Sequence, residues 1–262
     1  MFRSLNIAAT GMAAQETQLE AISNNIANGS TVGYKKQRVD FEDLLYQTVR
    51  EGGAPTGPTT QAPTGLQMGT GVRVVGTARE FGEGTLQNTN NPLDVAIEGN
   101  GFMAVQQSDG TLAYTRNGAL GTDSTGRIVN SDGLPIEPGI TIPQGATGVT
   151  IAANGQVSVT LAGQTTPSDL GQITLSTFIN PSGLNAIGHN LFTPTAGSGE
   201  AQVGEAGTDG RGTILQGSLE QSNVDIVEEM VGMISAQRGY EINSKVITTA
   251  DDMLRAATQM ST

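Results

Sequence analysis

The sequence predicts an α+β protein whose N- and C-terminal helices pair as a coiled coil, with a β-rich central domain and an extended linker between. Three observations predict it. Apolar residues recur at sevenfold spacing near both chain ends. In the middle they alternate in twos between turn dipeptides. Between these regimes lies a stretch rich in Pro, Thr and Gly with few apolar residues.

From Ser4 to about Asn28 there is no Pro and a single Gly, Gly11. Leu5, Met12, Leu19 and Ile26 form one column of a heptad seam; Ala8 and Ile22 form a second, interrupted by Gln15. The C-terminal segment opens at Ser222-Asn223-Val224-Asp225, read as a capping box with Asp225 in the place of the usual Glu. Ile226, Met233, Tyr240, Ile247 and Leu254 then follow at sevens, beside Ala236, Ala250 and Ala257 in a column broken by Asn243. Small residues there, with Gly232 and Gly239, allow a second helix to come close. At ~1.5 Å per residue this helix runs roughly 50 Å, long for a globular domain of this size.

Residues 51–71 contain Pro55, Pro58 and Pro63 among Gly and Thr and read as an extended linker. Beyond it the period becomes two. Leu93, Val95 and Ile97 lead to a turn at Gly99-Asn100-Gly101 and a run at Phe102–Val105. Val149 and Ile151 precede Asn154-Gly155, with Val157, Val159 and Leu161 after it, a strong hairpin pattern. Ile173, Leu175, Thr177 and Ile179 make another strand, and Asp109-Gly110, Asn117-Gly118 and Asp132-Gly133 mark turns. A second Gly-rich, weakly apolar stretch spans 196–212. The organisation expected is therefore a helical domain of 1–30 and 222–262, a linker and extended stretch over 31–72, and a β-rich domain over 73–221.

Acidic residues outnumber basic ones by 25 to 13, giving a formal charge of -12. Such a chain repels phosphate backbones and anionic bilayers, so nucleic acid is not an expected partner. No run of about 18 apolar residues suggests membrane insertion. With no cysteine there is no disulfide, thiolate zinc site or thiol nucleophile. No Sec-type signal is visible at the start, which points to the cytoplasm or to export without a cleaved signal. Lys35, Lys36 and Arg38 read as a solvated basic loop.

Motifs of catalysis are weak, and neither an enzyme nor a cofactor or metal site is expected. Gly99-Asn100-Gly101-Phe102-Met103-Ala104 fits a dinucleotide fingerprint in spacing, but strand-like residues follow where a helix would have to start. His189, the only histidine, lacks the marked partners that a metal site or Ser–His pair requires. Asp123-Ser124-Thr125-Gly126 and Asp109-Gly110 lack the spacing of a calcium loop. Asp94 and Glu98 in one strand stand ~13 Å apart, too far for paired-carboxylate catalysis. Asn28-Gly29-Ser30 is a formal glycosylation acceptor at a helix end. A sugar-active enzyme would want an aromatic platform, and there is no Trp; an adhesin or phage-tail protein would carry β repeats through both ends.

Pairing the helices covers one face of each and leaves apolar and alanine-rich surface open. At ~25 cal/mol per Å², shielding a further ~1000 Å² favours assembly by tens of kcal/mol before entropy costs. The pattern alone leaves open whether neighbours or the chain's own β domain provide that cover.

Ser23-Asn24-Asn25-Ile26-Ala27-Asn28 with Thr31-Val32-Gly33-Tyr34-Lys35 resembles the N-terminal motif of the flagellar rod and hook family. Gly217-Ser218-Leu219-Glu220-Gln221-Ser222-Asn223-Val224-Asp225, Glu229-Met230 and Gln237-Arg238-Gly239-Tyr240-Glu241 resemble its C-terminal motif. Leu93–Phe102 and Tyr114-Thr115-Arg116-Asn117-Gly118 are similar to its β-domain motifs. Gly65–Val72 and the stretch before it look most like the distal-rod members. Two positions depart from the pattern: Gly239 replaces a common Ala, at ~1 kcal/mol of helix propensity, and Ala119-Leu120 replaces a polar–Phe pair.

The resemblance implies a homopolymer in which the terminal helices line an inner tube around an export channel and the β domain forms the outer wall. Leu5, Met12, Leu19, Ile22, Ile26, Ile226, Met233, Tyr240, Ile247 and Leu254 would be the subunit-packing residues. The implied partners are proximal rod proteins, the hook protein, P-ring and L-ring proteins and the type III export machinery. The implied location is the basal-body rod across the periplasm. The 47–72 segment, with Pro55, Pro58 and Pro63, is expected to order between subunits and stiffen the tube.

Overall fold

The computed structural model describes residues 2–53, 63–163 and 166–260; Pro55 and Pro58 lie outside them. The chain divides into two compact units, one of residues 1–26, 37–78 and 226–262, the other of residues 27–36 and 79–225.

The first unit holds helix α1 (Phe2–Ala27), strands β1 (Gln37–Asp43), β2 (Gln47–Arg50), β3 (Leu66–Met68) and β4 (Val72–Arg79), and helix α2 (Ile226–Met260). Strand β1 pairs with β4 and β2 with β3, so paired strands flank the Pro-rich stretch. The β2–β3 ribbon is antiparallel, with Gln47 opposite Met68, and exposes Leu45, Tyr46, Val49, Leu66 and Met68. Arg3 at the start of α1 donates to Gln47 Oε1 at 2.5 Å.

The two helices run antiparallel and touch along small residues. A Cβ placed on Gly11 would stand 2.9 Å from the Asn243 carboxamide, one on Gly239 3.2 Å from Gln15 Cδ, and one on Gly232 3.4 Å from Ile22 Cδ1. Gly239 thus receives Gln15, and an alanine there would require that side chain to give by a few tenths of an ångström. Along α1, Ala8 and Ile22 are buried and Leu5, Met12, Leu19 and Ile26 half-buried; along α2, Ala236 and Ala250 are buried and Met233, Ile247 and Leu254 half-buried. Ile226 and Tyr240 remain exposed.

Helix α2 begins later than its sequence suggested. Ile226 is the first helical residue, which places Asp225, not Ser222, ahead of the first turn, where a carboxylate suits the helix N-terminus. The Ser222 hydroxyl instead accepts from Val224 N at 3.3 Å, a local turn. Asn223 is drawn away into the β unit, where it accepts from Lys36 N at 2.7 Å and donates to Glu80 O at 2.8 Å.

The second unit holds β5 (Leu86–Asn88), β6 (Val95–Glu98), β7 (Phe102–Gln106), β8 (Leu112–Thr115), β9 (Gly121–Thr122), β10 (Ile128–Val129), β11 (Ala146–Ile151), β12 (Gln156–Leu161), β13 (Ser168–Gln172), β14 (Thr174–Thr177), β15 (Asn185–Gly188), β16 (Leu191–Thr193), β17 (Gln202–Glu205), β18 (Thr213–Gln216) and β19 (Ser218–Glu220). Its main sheet runs in the order β15-β16-β8-β7-β14-β17, beside a three-stranded β11-β12-β13 sheet and the ribbons β18-β6, β19-β5 and β10-β9. The Asn154-Gly155 hairpin forms as its alternation dictates, with Val149 opposite Val159 and Ile151 opposite Val157. Gly99–Gly101 does turn the chain, but not into a hairpin: β6 pairs with β18 while β7 pairs with β8 and β14.

Alternation along β7 gives this unit two cores. Met103 and Val105 join Val95, Ile97, Ile128, Val157, Ile173 and Leu175 on one face. Phe102 and Ala104 join Tyr114, Phe178, Leu184 and Phe192 on the other. Tyr114 and Phe178 meet edge to face at 4.9 Å, a geometry worth ~1 kcal/mol beyond burial. Leu120 lies in the first core, so the Ala119-Leu120 departure packs an aliphatic side chain in place of an aromatic one. Gly118 allows backbone to touch backbone: a Cβ there would fall 1.6 Å from Val95 O.

Candidate functional site

The residues of the family motifs converge on buried polar networks rather than on an open cleft. In the β unit the centre is Glu220, the last residue of β19. Its Oε1 accepts from Lys35 Nζ at 2.5 Å and from Gly84 N at 3.0 Å; its Oε2 accepts from Arg116 Nε at 2.8 Å. Arg116 Nη1 donates to Gly99 O and Gly101 O, and Nη2 to Ile97 O and Gly99 O. All five guanidinium N–H groups are thereby used. Lys35 Nζ also donates to Gly82 O at 2.7 Å.

The three side chains are sealed from water, with 0% of Lys35, 1% of Glu220 and 2% of Arg116 exposed. Lys35 is therefore no solvated loop residue. The expected basic cluster comes apart: Lys35 is one cation of an ion triad centred on Glu220, Lys36 is half-buried, and Arg38 alone stays exposed. Such a charge survives burial because a counter-charge on Glu220 and the Gly82 carbonyl accept from it. Burial pushes the Lys35 ammonium below its usual pKa, and Arg116 adds to that, against the pull of Glu220. Burial alone would raise the Glu220 carboxyl, but Arg116 and Lys35 outweigh it and hold it below the usual carboxylate range.

Local geometry explains why these residue types stand here. Gly33 takes φ +69°, and a Cβ would stand 2.9 Å from the Arg116–Asn117 peptide; only glycine lets the chain pass. Its N–H donates to Glu220 O at 2.8 Å. Tyr34 is buried and lies under the Arg79 guanidinium, 5.8 Å from the ring centroid, and Arg79 donates to Lys35 O. Glu80 N donates to Lys36 O. Segments 33–36, 79–84 and 220–223, far apart in sequence, form one clasp.

A second network lies in the helical unit. Asn25 is 2% exposed. Its Oδ1 accepts from Gln37 N at 2.8 Å and its Nδ2 donates to Gln37 O at 2.9 Å, so the carboxamide pairs with that backbone as a strand would. The same Nδ2 reaches Glu229 Oε2 on α2 at 3.3 Å. The sequence signal here was slight: Asn is a poor helix former, and Asn25 stands outside both apolar columns.

The remaining singled-out residues have local roles. The Asp94 carboxylate is taken by Thr89 Oγ1 at 2.6 Å and Asn91 Nδ2 at 2.9 Å, while Glu98 is exposed. Gly99 and Gly101 have positive φ and lead into strand β7, where a nucleotide site would need a helix. Asp123 closes a turn, and the Thr125 hydroxyl and nearby backbone N–H groups hold its carboxyl well below the usual range. His189 is exposed and lies 3.0 Å from Asp132. No helix among the described residues is long and apolar enough to cross a membrane.

Comparison with known proteins finds relatives along nearly the whole chain. The family described as "Flagella basal body rod protein" matches residues 5–35, "Flagellar hook protein FlgE/F/G D1 domain" matches 96–159, and "Flagellar basal body rod FlgEFG protein C-terminal" matches 215–260. The flagellar basal-body rod protein FlgG of Caulobacter vibrioides is 49% identical over 259 residues, covering 98% of this chain and 99% of the relative. That of Borreliella burgdorferi is 48% identical over 262 residues, 99% of each chain, and that of Bacillus subtilis 41% over 260 residues, 97% of each. The buried clasp uses residues of all three matched regions or their borders: Lys35 from the first, Arg116 from the second and Glu220 from the third. The chain belongs to the flagellar basal-body rod family, and it is a structural protein rather than an enzyme.

Proposed function

We propose that the chain is a distal-rod subunit that assembles helically with its own copies into a rigid tube around an export channel, carrying motor torque to the hook. The observation that carries this reading is an uncovered apolar face. Val227, Met230, Val231 and Ile234 are exposed on α2, about half a turn away from Glu229, Gly232 and Ala236, which face α1. Farther along, Ile242, Val246 and Met253 border a groove of ≈ 330 Å³ with Ser4, Lys245, Thr249 and Ala250. Exposed apolar clusters of this kind on one helix mark surfaces that a partner covers.

In this reading α1 and α2 pair as a coiled coil, and segments 1–30 and 222–262 line the tube. Residues 73–221 form its outer wall, with 31–72 between. Leu5, Met12, Leu19, Ile22, Ile26, Met233, Ile247 and Leu254 hold the pair together, and Ile226 and Tyr240 meet neighbouring subunits. Proximal rod proteins, the hook protein and the P and L rings are its partners along the periplasm. The subunit travels through the type III machinery without a cleaved signal. Electron microscopy of the concentrated purified protein tests the reading, with tubes as the expected product.

The 47–72 segment is the stiffening element. Its flanks pair as β2 and β3, and prolines lower the entropy cost of an extended segment. Deleting 55–63 should give rods that bend more easily; isolated rods of unaltered persistence length would reject this role.

A further inference from the structure

The chain passes between its two units four times, at 26–27, 36–37, 78–79 and 225–226. The second and third passages are the two strands at one end of the β1–β4 ribbon. Leu44 N donates to Gly71 O at 2.9 Å near the far end of that ribbon and Glu80 N to Lys36 O at 3.0 Å at this end, so the strands run antiparallel. The reciprocal ladder bond here would join Lys36 N to Glu80 O. The Asn223 carboxamide takes both groups. Lys36 N donates to its Oδ1 at 2.7 Å, and its Nδ2 donates to Glu80 O at 2.8 Å and to Gly82 O at 3.3 Å. The Asn223 N–H donates to Tyr34 O at 3.4 Å. A side chain just ahead of the fourth passage is thus inserted into the ladder formed by the second and third.

We infer that Asn223 ties the last three passages into one cooperative unit, so that a pull arriving along α2 is shared by segments 34–36 and 80–82. A carboxamide suits this task because it is planar and carries acceptor and donor side by side, as a peptide group does. One rigid group holds both strands of the ribbon, so its bonds open together rather than one by one. Asn25 acts likewise on the other side of the second passage, where its carboxamide pairs with Gln37 N and O and links that passage to the first. Without the tie at Asn223, a pull entering at 225 would fall in turn on Gln221, on Glu220 and on the β19–β5 ribbon, because the chain reaches them in that order. Asn223 is in this sense a positioning residue. Its part in carrying torque rests on the proposed function, whereas the tie itself is a property of the single subunit.

Residue-resolved amide hydrogen exchange on the monomeric full-length protein tests the tie. The probe is Glu80 N–H, whose own acceptor, Lys36 O, is left in place by any substitution at 223. The reference is Val95 N–H, bonded to Gly118 O at 3.0 Å in the core of the same unit. Asn223→Ala should raise the exchange rate of Glu80 about 30-fold, the equivalent of two lost hydrogen bonds, and leave Val95 within about threefold of the parent. Asn223→Asp still accepts from Lys36 N but offers no donor to Glu80 O and Gly82 O, and should raise Glu80 as much. Exchange of Glu80 at the parental rate in either variant overturns the tie. So does an equal rise at Glu80 and Val95, which would mark a general loss of stability instead. Neither result depends on whether the protein forms tubes, so either would leave the proposed function standing.

Discussion

Arg116→Met is expected to destabilise the β unit by about 3–5 kcal/mol, among the largest effects of any single substitution. The loss is not that of an ion pair at a surface. Methionine fills the volume but leaves Glu220 buried with Lys35 as its one counter-charge. It also strips the donors from the carbonyls of Ile97, Gly99 and Gly101. Urea unfolding followed by the near-ultraviolet signal of the buried Tyr114–Phe178 pair reads the change; a midpoint moved by less than about 1 kcal/mol of stability would show the triad to be dispensable.

The same network sets an acid dependence whose sign is fixed. Glu220 is held below its unfolded value. Its contribution is therefore fully present above the unfolded carboxylate pKa and is lost as pH falls through the folded one. In Arg116→Met the largest favourable charge is gone and burial regains weight, so the loss should begin at higher pH than in the parent.

The second large effect concerns assembly rather than folding. Val231→Asp and Ile234→Asp change side chains that are exposed in the single chain, so subunit stability should move by no more than about 0.5 kcal/mol. If the strip is covered in the rod, each buries an unpaired carboxylate there, and the concentration needed for assembly should rise about 100-fold or more. Ile247→Asp and Leu254→Asp, at half-buried seam positions, should instead weaken the helix pair itself. Sedimentation across a concentration series, with helix content by circular dichroism, separates the two classes.

The parts of this structure legible in the sequence are those written in local period. The heptads at Leu5–Ile26 and Met233–Leu254 place two helices, and the alternation around Asn154-Gly155 places a hairpin, because each pattern is complete within some twenty residues. What stayed hidden depends on partners far along the chain. Lys35 reads as solvated because lysines usually are; its burial follows from Glu220, 185 residues away, and from carbonyls whose position only the fold supplies. Strands β6 and β7 read as successive runs joined by a turn, and nothing local tells that the backbone contact at Gly118 and pairing with β18 take β6 into a different sheet. The start of α2 was misplaced because Ser222 and Asn223 look like helix caps, while Asn223 is recruited by Lys36 and Glu80. Motif residues such as Gly33, Tyr34 and Asn25 could be recognised without their roles being deducible, since each role is a contact between segments.

The central claim is that the strip of α2 turned away from α1 is covered by other copies of the chain. Electron microscopy of the purified full-length protein at high concentration, beside its Ile234→Asp variant, tests this most directly. The account predicts tubes from the parent and dispersed subunits with an intact β unit from the variant. Tubes formed equally well by both, or a parent that stays monomeric at every concentration reached, would contradict it.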